Sequence, residues 1–167
     1  MSAEAQPVAA AAAAPVLKES KEVLTKKWTK PLIDVGYTAI PTIIVQRMGV
    51  LGLAPLDFAI LCQLASYWWS PDQLPHPSIK AIADAIGMKH ATVKKRLAAL
   101  EKAKLIKRVH RPRPGNRHKT NEYSFQPLIE AVTPHALKEL EAIEERKAAK
   151  LKSLTKKGKP ALKAVPK

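Results

Sequence analysis

The sequence predicts a mainly α-helical protein with one small β-hairpin, and three observations lead there. Apolar residues recur at helical spacing in several separate stretches, and glycine and proline punctuate those stretches. Late in the chain, two short β-prone runs flank a connection rich in Pro, Gly and Asn. The 167 residues carry 29 Lys+Arg against 14 Asp+Glu, a net charge of +15. The length suits one domain with tails. The charge favours a polyanionic partner, nucleic acid first.

Residues 1–27 open with an Ala/Pro tract, followed by Lys18, Lys21, Lys26 and Lys27. Few large apolar groups are present to offset ordering entropy, so the segment reads as a disordered arm. A folded domain is expected over residues 28–130. Within it, Tyr37 to Ile40 suits a short strand ending at Pro41, and a helix follows from Thr42 to Leu51, stopped by Gly52. Pro55 fits a first helical position and Asp57 the electropositive first turn of the next helix. Ile60, Leu61, Leu64, Ala65 and Trp68 repeat along it until Pro71. Trp68 and Trp69 are read as core rather than as a base-stacking platform, because their apolar neighbours lie at helical spacing.

Ser78 is a good N-cap, and Ile79, Ile82, Ala83 and Ile86 then share one helix face. Gly87 permits a sharp turn. A further helix is expected from Lys89 to Ala103 with Val93, Leu97 and Leu100 on one side. At about 100° per residue, Ala91, Lys94, Lys95, Ala98 and Lys102 face away from that side. Leu105–Val109 and Asn121–Phe125 read as strands, with the basic loop 111–119 between them. Thr133 and Pro134 resemble the start of a last helix reaching about residue 152, with Leu137, Leu140 and Ile143 on its apolar side and no core partner in the chain. This helix, within a segment 131–152, is a candidate homodimer contact. Residues 153–167 read as a Lys-rich disordered tail.

Helix, glycine turn, helix, strand, basic loop and strand make the order of a winged helix-turn-helix, whose second helix enters the major groove while the hairpin reaches backbone or minor groove. Charge follows that order: residues 89–119 hold twelve Lys/Arg and a single acid, Glu101. Double-stranded DNA is therefore the expected partner. The contact residues expected are Ser78 and Lys80 before and within the first helix, then Lys89, His90, Ala91, Thr92, Lys94, Lys95 and Arg96, and Arg111, Arg113, Arg117 and Lys119 in the wing. Lys95 is the strongest single choice. Ala91 and Ala98 allow close approach to a thymine methyl, and Arg96, nearer the core side, suits a phosphate or an acid partner.

The stretches His76-Pro77-Ser78-Ile79-Lys80-Ala81-Ile82-Ala83, Thr92-Val93-Lys94-Lys95-Arg96-Leu97 and Leu100-Glu101-Lys102-Ala103-Lys104-Leu105-Ile106, with Gly87 between the first two, carry a resemblance. So do Trp28 to Pro41 and Tyr67-Trp68-Trp69. Over roughly residues 28–130 the chain resembles the bacterial helix-turn-helix domain of plasmid and phage replication proteins and small regulators. It departs from that family at Ala91, where many relatives carry a long polar or basic residue, and at Lys104, where the usual residue is glycine. The resemblance implies DNA binding by a non-enzymatic protein.

Three roles fit these residues: a transcriptional regulator, dimeric through the 134–152 helix; a replication or maintenance protein of a plasmid- or phage-type element; and a winged-helix module that binds protein. No metal or other cofactor is expected, since the five histidines and Cys62 lack ligand spacing and no phosphate loop or nucleophile motif occurs. No small-molecule ligand is evident. A lone cysteine, no signal-peptide pattern and no unbroken apolar run make the expected location cytoplasmic rather than membrane-bound.

Overall fold

The computed structural model describes residues 13–111 and 120–156, and it groups the chain into two units, residues 1–39 and 40–167. The first unit holds α1 (Ala13–Trp28) and α2 (Lys30–Val35). Helix α1 occupies positions expected to be a disordered arm. Its Ala, Leu, Lys and Glu are strong helix formers, so local propensity favours a helix even where apolar residues are scarce. Thr29 joins the two helices in the left-handed region, φ 74. Lys30 and Lys21 then converge on Asp34 at 2.5 and 3.4 Å, and the hydrogen bond from Lys30 holds that carboxyl below its ordinary pKa. Residues 37–40 form no strand: among the described residues the one sheet is made of two strands that come later in the chain.

In the second unit, α3 (Thr42–Gln46) is shorter than its apolar run and gives way to a turn ending at Gly52, φ 67, where Leu53 N–H closes on the Met48 carbonyl at 2.9 Å. Helix α4 (Pro55–Ala65) follows. Asp57 accepts from the Ala54 N–H at 3.0 Å, so its carboxylate satisfies one orphan donor of the first turn. The helix ends at Ala65, well before Pro71, and this separates the two tryptophans. Trp68 stacks on Phe125 with ring centroids 5.3 Å apart, whereas Trp69 is 77% exposed and does not join the core.

Helix α5 (Ile79–Ala85) starts where expected, with Ser78 Oγ accepting the Ala81 N–H at 3.0 Å. It ends in a Schellman turn at Gly87, φ 68, with Met88 N–H on the Ala83 carbonyl at 2.9 Å. Helix α6 (His90–Lys102) ends in the same motif, but the left-handed position is filled by Lys104, φ 55. Its N–H reaches the Glu101 carbonyl and that of Leu105 the Leu100 carbonyl, both at 3.0 Å. The departure from glycine seen in the sequence thus sits at a position whose backbone favours glycine.

Strands β1 (Lys107–Val109) and β2 (Glu122–Ser124) pair antiparallel, with Arg108 opposite Tyr123. Tyr123 N–H also donates to the Pro75 carbonyl at 2.9 Å, stitching the hairpin to the lead-in of α5. Ile60 and Leu64 of α4, Ile82 of α5, Val93 and Leu97 of α6, and Ile106 and Tyr123 beside or within the hairpin are all almost fully buried. Helix α7 (Gln126–Lys156) begins directly after the wing, eight residues ahead of the expected start at Pro134. Pro134 lies inside it, and Thr133 Oγ donates back to the Ile129 carbonyl at 2.7 Å instead of capping. The early start also corrects the expectation of a helix without a core partner, since Leu128 and Val132 are buried in the main cluster. No helix of the described residues is long and apolar enough to cross a membrane.

Candidate nucleic-acid interface

Helix α6 has two faces. Val93, Leu97 and Leu100 are buried, while Lys89, His90, Ala91, Lys94, Lys95, Ala98 and Lys102 are exposed around the other side, and Thr92 and Arg96 are half-buried between them. The helical period therefore presents lysines and small alanines together, as the sequence implied. Lys89, Lys94, Lys95 and Lys102 make no ion pair among the described residues, so their ammonium groups remain available to phosphate oxygens.

Arg96 behaves differently. Its Nε donates to Asp57 Oδ1 at 2.7 Å and its Nη2 to Asp57 Oδ2, a two-pronged pair across the α4–α6 packing. Asp57 is 4% exposed. The hydrogen bond to this carboxylate raises the already high pKa of Arg96. Of the two partners the sequence allowed for Arg96, phosphate or acid, the folded chain supplies the acid. A planar guanidinium suits such a carboxylate better than an ammonium does.

Other cations are similarly engaged. Arg108 Nε donates to Glu101 Oε2 at 2.6 Å and its backbone N–H to Oε1 at 3.2 Å, tying β1 to α6 and lowering the Glu101 carboxyl from its ordinary pKa. The lone acid of the basic stretch is thus a brace. Arg111 Nε lies 3.3 Å from Glu122 Oε1 at the root of the wing. Lys80 pairs with Asp84 one turn on, at 2.8 Å, and its pKa is raised by that hydrogen bond.

Ser78, Lys80 and His90 line one open cleft together with Thr120, Asn121 and Tyr123 at the wing root. The cleft joins the start of α5, the start of α6 and the base of the hairpin. Thr120 and Asn121 were not singled out from sequence; their signal is position alone, immediately after the basic loop. Asn121 Oδ1 lies 3.1 Å from His110 Nδ1 across the hairpin. Arg113, Arg117 and Lys119, expected in the wing, lie outside the described residues, as does the tail beyond Lys156. Among the described residues, no group of three or more His, Cys, Asp or Glu is placed to hold a metal ion.

Residues 51–106, from the turn before α4 to the residue before β1, match the family model described as a helix-turn-helix domain. A search of curated proteins gave no significant match. Similar solved structures include the N-terminal domain of DnaD protein from Geobacillus kaustophilus HTA426, at 18% identity, covering 77% of this chain and 96% of that one with TM-score 0.48. A MepR–DNA complex from S. aureus shows 25% identity, 69% and 89% coverage and TM-score 0.40. A MarR/EmrR family transcriptional regulator from Acinetobacter sp. ADP1 shows 16% identity, 91% and 97% coverage and TM-score 0.35. Residues 51–106, about a third of the chain, thus carry the likeness to a helix-turn-helix domain, and the β1–β2 hairpin that follows completes a winged arrangement.

Proposed function

We propose that this protein binds double-stranded DNA, with α6 in the major groove and the β1–β2 wing on the adjoining backbone, and acts as a transcriptional regulator. The carrying observation is the outward face of α6, where exposed Lys89, Lys94, Lys95 and Lys102 alternate with Ala91 and Ala98 on a helix whose other side is fully buried. Small side chains let such a helix approach base edges, and lysines supply the salt-dependent phosphate term. The helix-turn-helix family match supports the binding mode and, through it, the regulatory role.

Within this reading Lys94 and Lys95 contact bases or phosphates, with Lys89, His90 and Thr92 beside them. Ser78 and Lys80 meet backbone from the start of α5, and Arg111, Arg113, Arg117 and Lys119 serve the wing. Arg96 keeps the recognition helix seated instead. The decisive experiment is binding to a random duplex pool across a salt series, with sequencing of the retained fraction and Lys95→Ala as control. Salt-sensitive binding with an enriched motif, weakened by Lys95→Ala, supports a regulator. Salt-sensitive binding without a motif leaves a DNA binder without an operator. No binding at low salt overturns the proposal in favour of a protein-binding winged helix.

A further inference from the structure

Helix α7 is 31 residues long, about 46 Å at 1.5 Å per residue. Only its beginning is embedded: Leu128 and Val132 lie in the core, and Glu139 reaches Arg47 at 3.2 Å. From Leu140 to Ser153 no residue is buried. Leu137 and Leu140 are 55% and 56% exposed, and Leu151 is 65% exposed. An isolated stretch of this length is a marginal helix in water, and burial along one face is what ordinarily stabilises it.

The face is patterned. Leu137, Leu140, Glu144, Lys147 and Leu151 are spaced 3, 4, 3 and 4 residues apart, the seam of a heptad repeat. Charge along the helix is segregated, with Glu139, Glu141, Glu144 and Glu145 followed by Arg146, Lys147, Lys150 and Lys152. A second copy laid parallel would set Glu144 on Glu144 and Lys147 on Lys147. Laid antiparallel, with Leu140 opposite Leu151 of the second copy, it sets Glu144 opposite Lys147 twice by symmetry and lays each acidic band along a basic one. Polar residues at seam positions are a known means of fixing register.

We infer that the outer half of α7 pairs with a second copy of this chain as a short antiparallel coiled coil, in the register that faces Leu140 with Leu151 and Glu144 with Lys147. The paired face lies at the far end of α7, on a different helix from the lysines of α6, and needs no DNA to form.

Sedimentation equilibrium of the full chain without DNA, over a concentration series, tests it. The expected result is a reversible dimer. Glu144→Lys should raise the dimer dissociation constant by about tenfold or more, and Glu144→Lys combined with Lys147→Glu should restore it. Leu140→Asp should give a monomer with unchanged far-UV circular dichroism outside α7's share. A wild-type chain that stays monomeric at its highest soluble concentration overturns the inference. So does a double reversal as weak as the single one, because an antiparallel Glu144–Lys147 pair stays complementary when its two charges are exchanged.

Discussion

Arg96 and Asp57, thirty-nine positions apart, meet in a two-pronged ion pair that seats α6 on α4, and the same carboxylate caps α4 through the Ala54 N–H. The two partners are unequally buried, with side-chain exposures of 33% for Arg96 and 6% for Asp57. Losing one is therefore not equivalent to losing the other.

Arg96→Met strands a buried carboxylate and should cost about 3 kcal/mol at neutral pH. Asp57→Asn leaves a guanidinium that can turn to water, and should cost about 1–2 kcal/mol, partly through the weakened cap. Urea denaturation of both variants checks the ordering; equal losses, or a larger loss for Asp57→Asn, would contradict it.

Lys104 holds the left-handed cap position after α6 at φ 55. Lys104→Gly relieves a conformation costing an ordinary residue about 1–2 kcal/mol, against the roughly 0.5–1 kcal/mol that glycine's freedom costs on folding. A net gain of about 0.5–1 kcal/mol follows, visible as a rise of a few degrees in Tm. Lys104→Ala keeps the strain and should show no such rise.

Glu101 is held below its ordinary pKa of 4.5, chiefly by the hydrogen bond from Arg108. A carboxyl that binds its proton less readily folded than unfolded stabilises the fold above the unfolded value, and that contribution disappears as pH falls through the folded one. Wild type should lose more stability between pH 6 and pH 3 (values of about those sizes bracket the transition) than Glu101→Gln does. Urea midpoints at the two pH values measure the difference, and parallel losses would rule the pair out as an acid-sensitive brace.

Replacing both Lys94 and Lys95 by alanine should weaken duplex binding and lower the slope of log affinity against log salt by up to about 2, roughly one for each phosphate contact removed. Lys138→Ala, on α7 and away from the α6 face in sequence, should leave the slope unchanged. Fluorescence anisotropy at several salt concentrations reads both; an unchanged slope in the double variant would remove these lysines from the phosphate contacts.

What was legible in the sequence was local. Ser78 as a cap, the spacing of Val93, Leu97 and Leu100, and Gly87 as a turn each depend on residues a few positions apart, and each stands in the structure as read. Tyr123 and Phe125 alternate into the core as a period of two requires. The pairing of Asp57 with Arg96 was visible only as an acid at a helix start and an arginine near a core face, because nothing in either local pattern points to the other. Trp69 departs from the expected core position because α4 ends at Ala65, and a helical period has no meaning past the helix. The start of α7 was misplaced for a related reason: Thr133 and Pro134 imitate a helix beginning, while the true start is set by Leu128 and Val132 meeting a core assembled from distant segments.

Only Phe125 separates the end of β2 at Ser124 from the start of α7 at Gln126, and Phe125 is itself wedged against Trp68. The wing and the long helix thus share a joint without slack. In a paired molecule that joint makes α7 a ruler: its length and rotation dictate how far apart the two wings stand and which way each faces. Adding one residue between Val132 and Leu137 would turn everything beyond it by about 100° and advance it by about 1.5 Å, pulling Glu139 away from Arg47 and resetting the distance between the two wings while the buried anchor at Leu128 and Val132 stays in place.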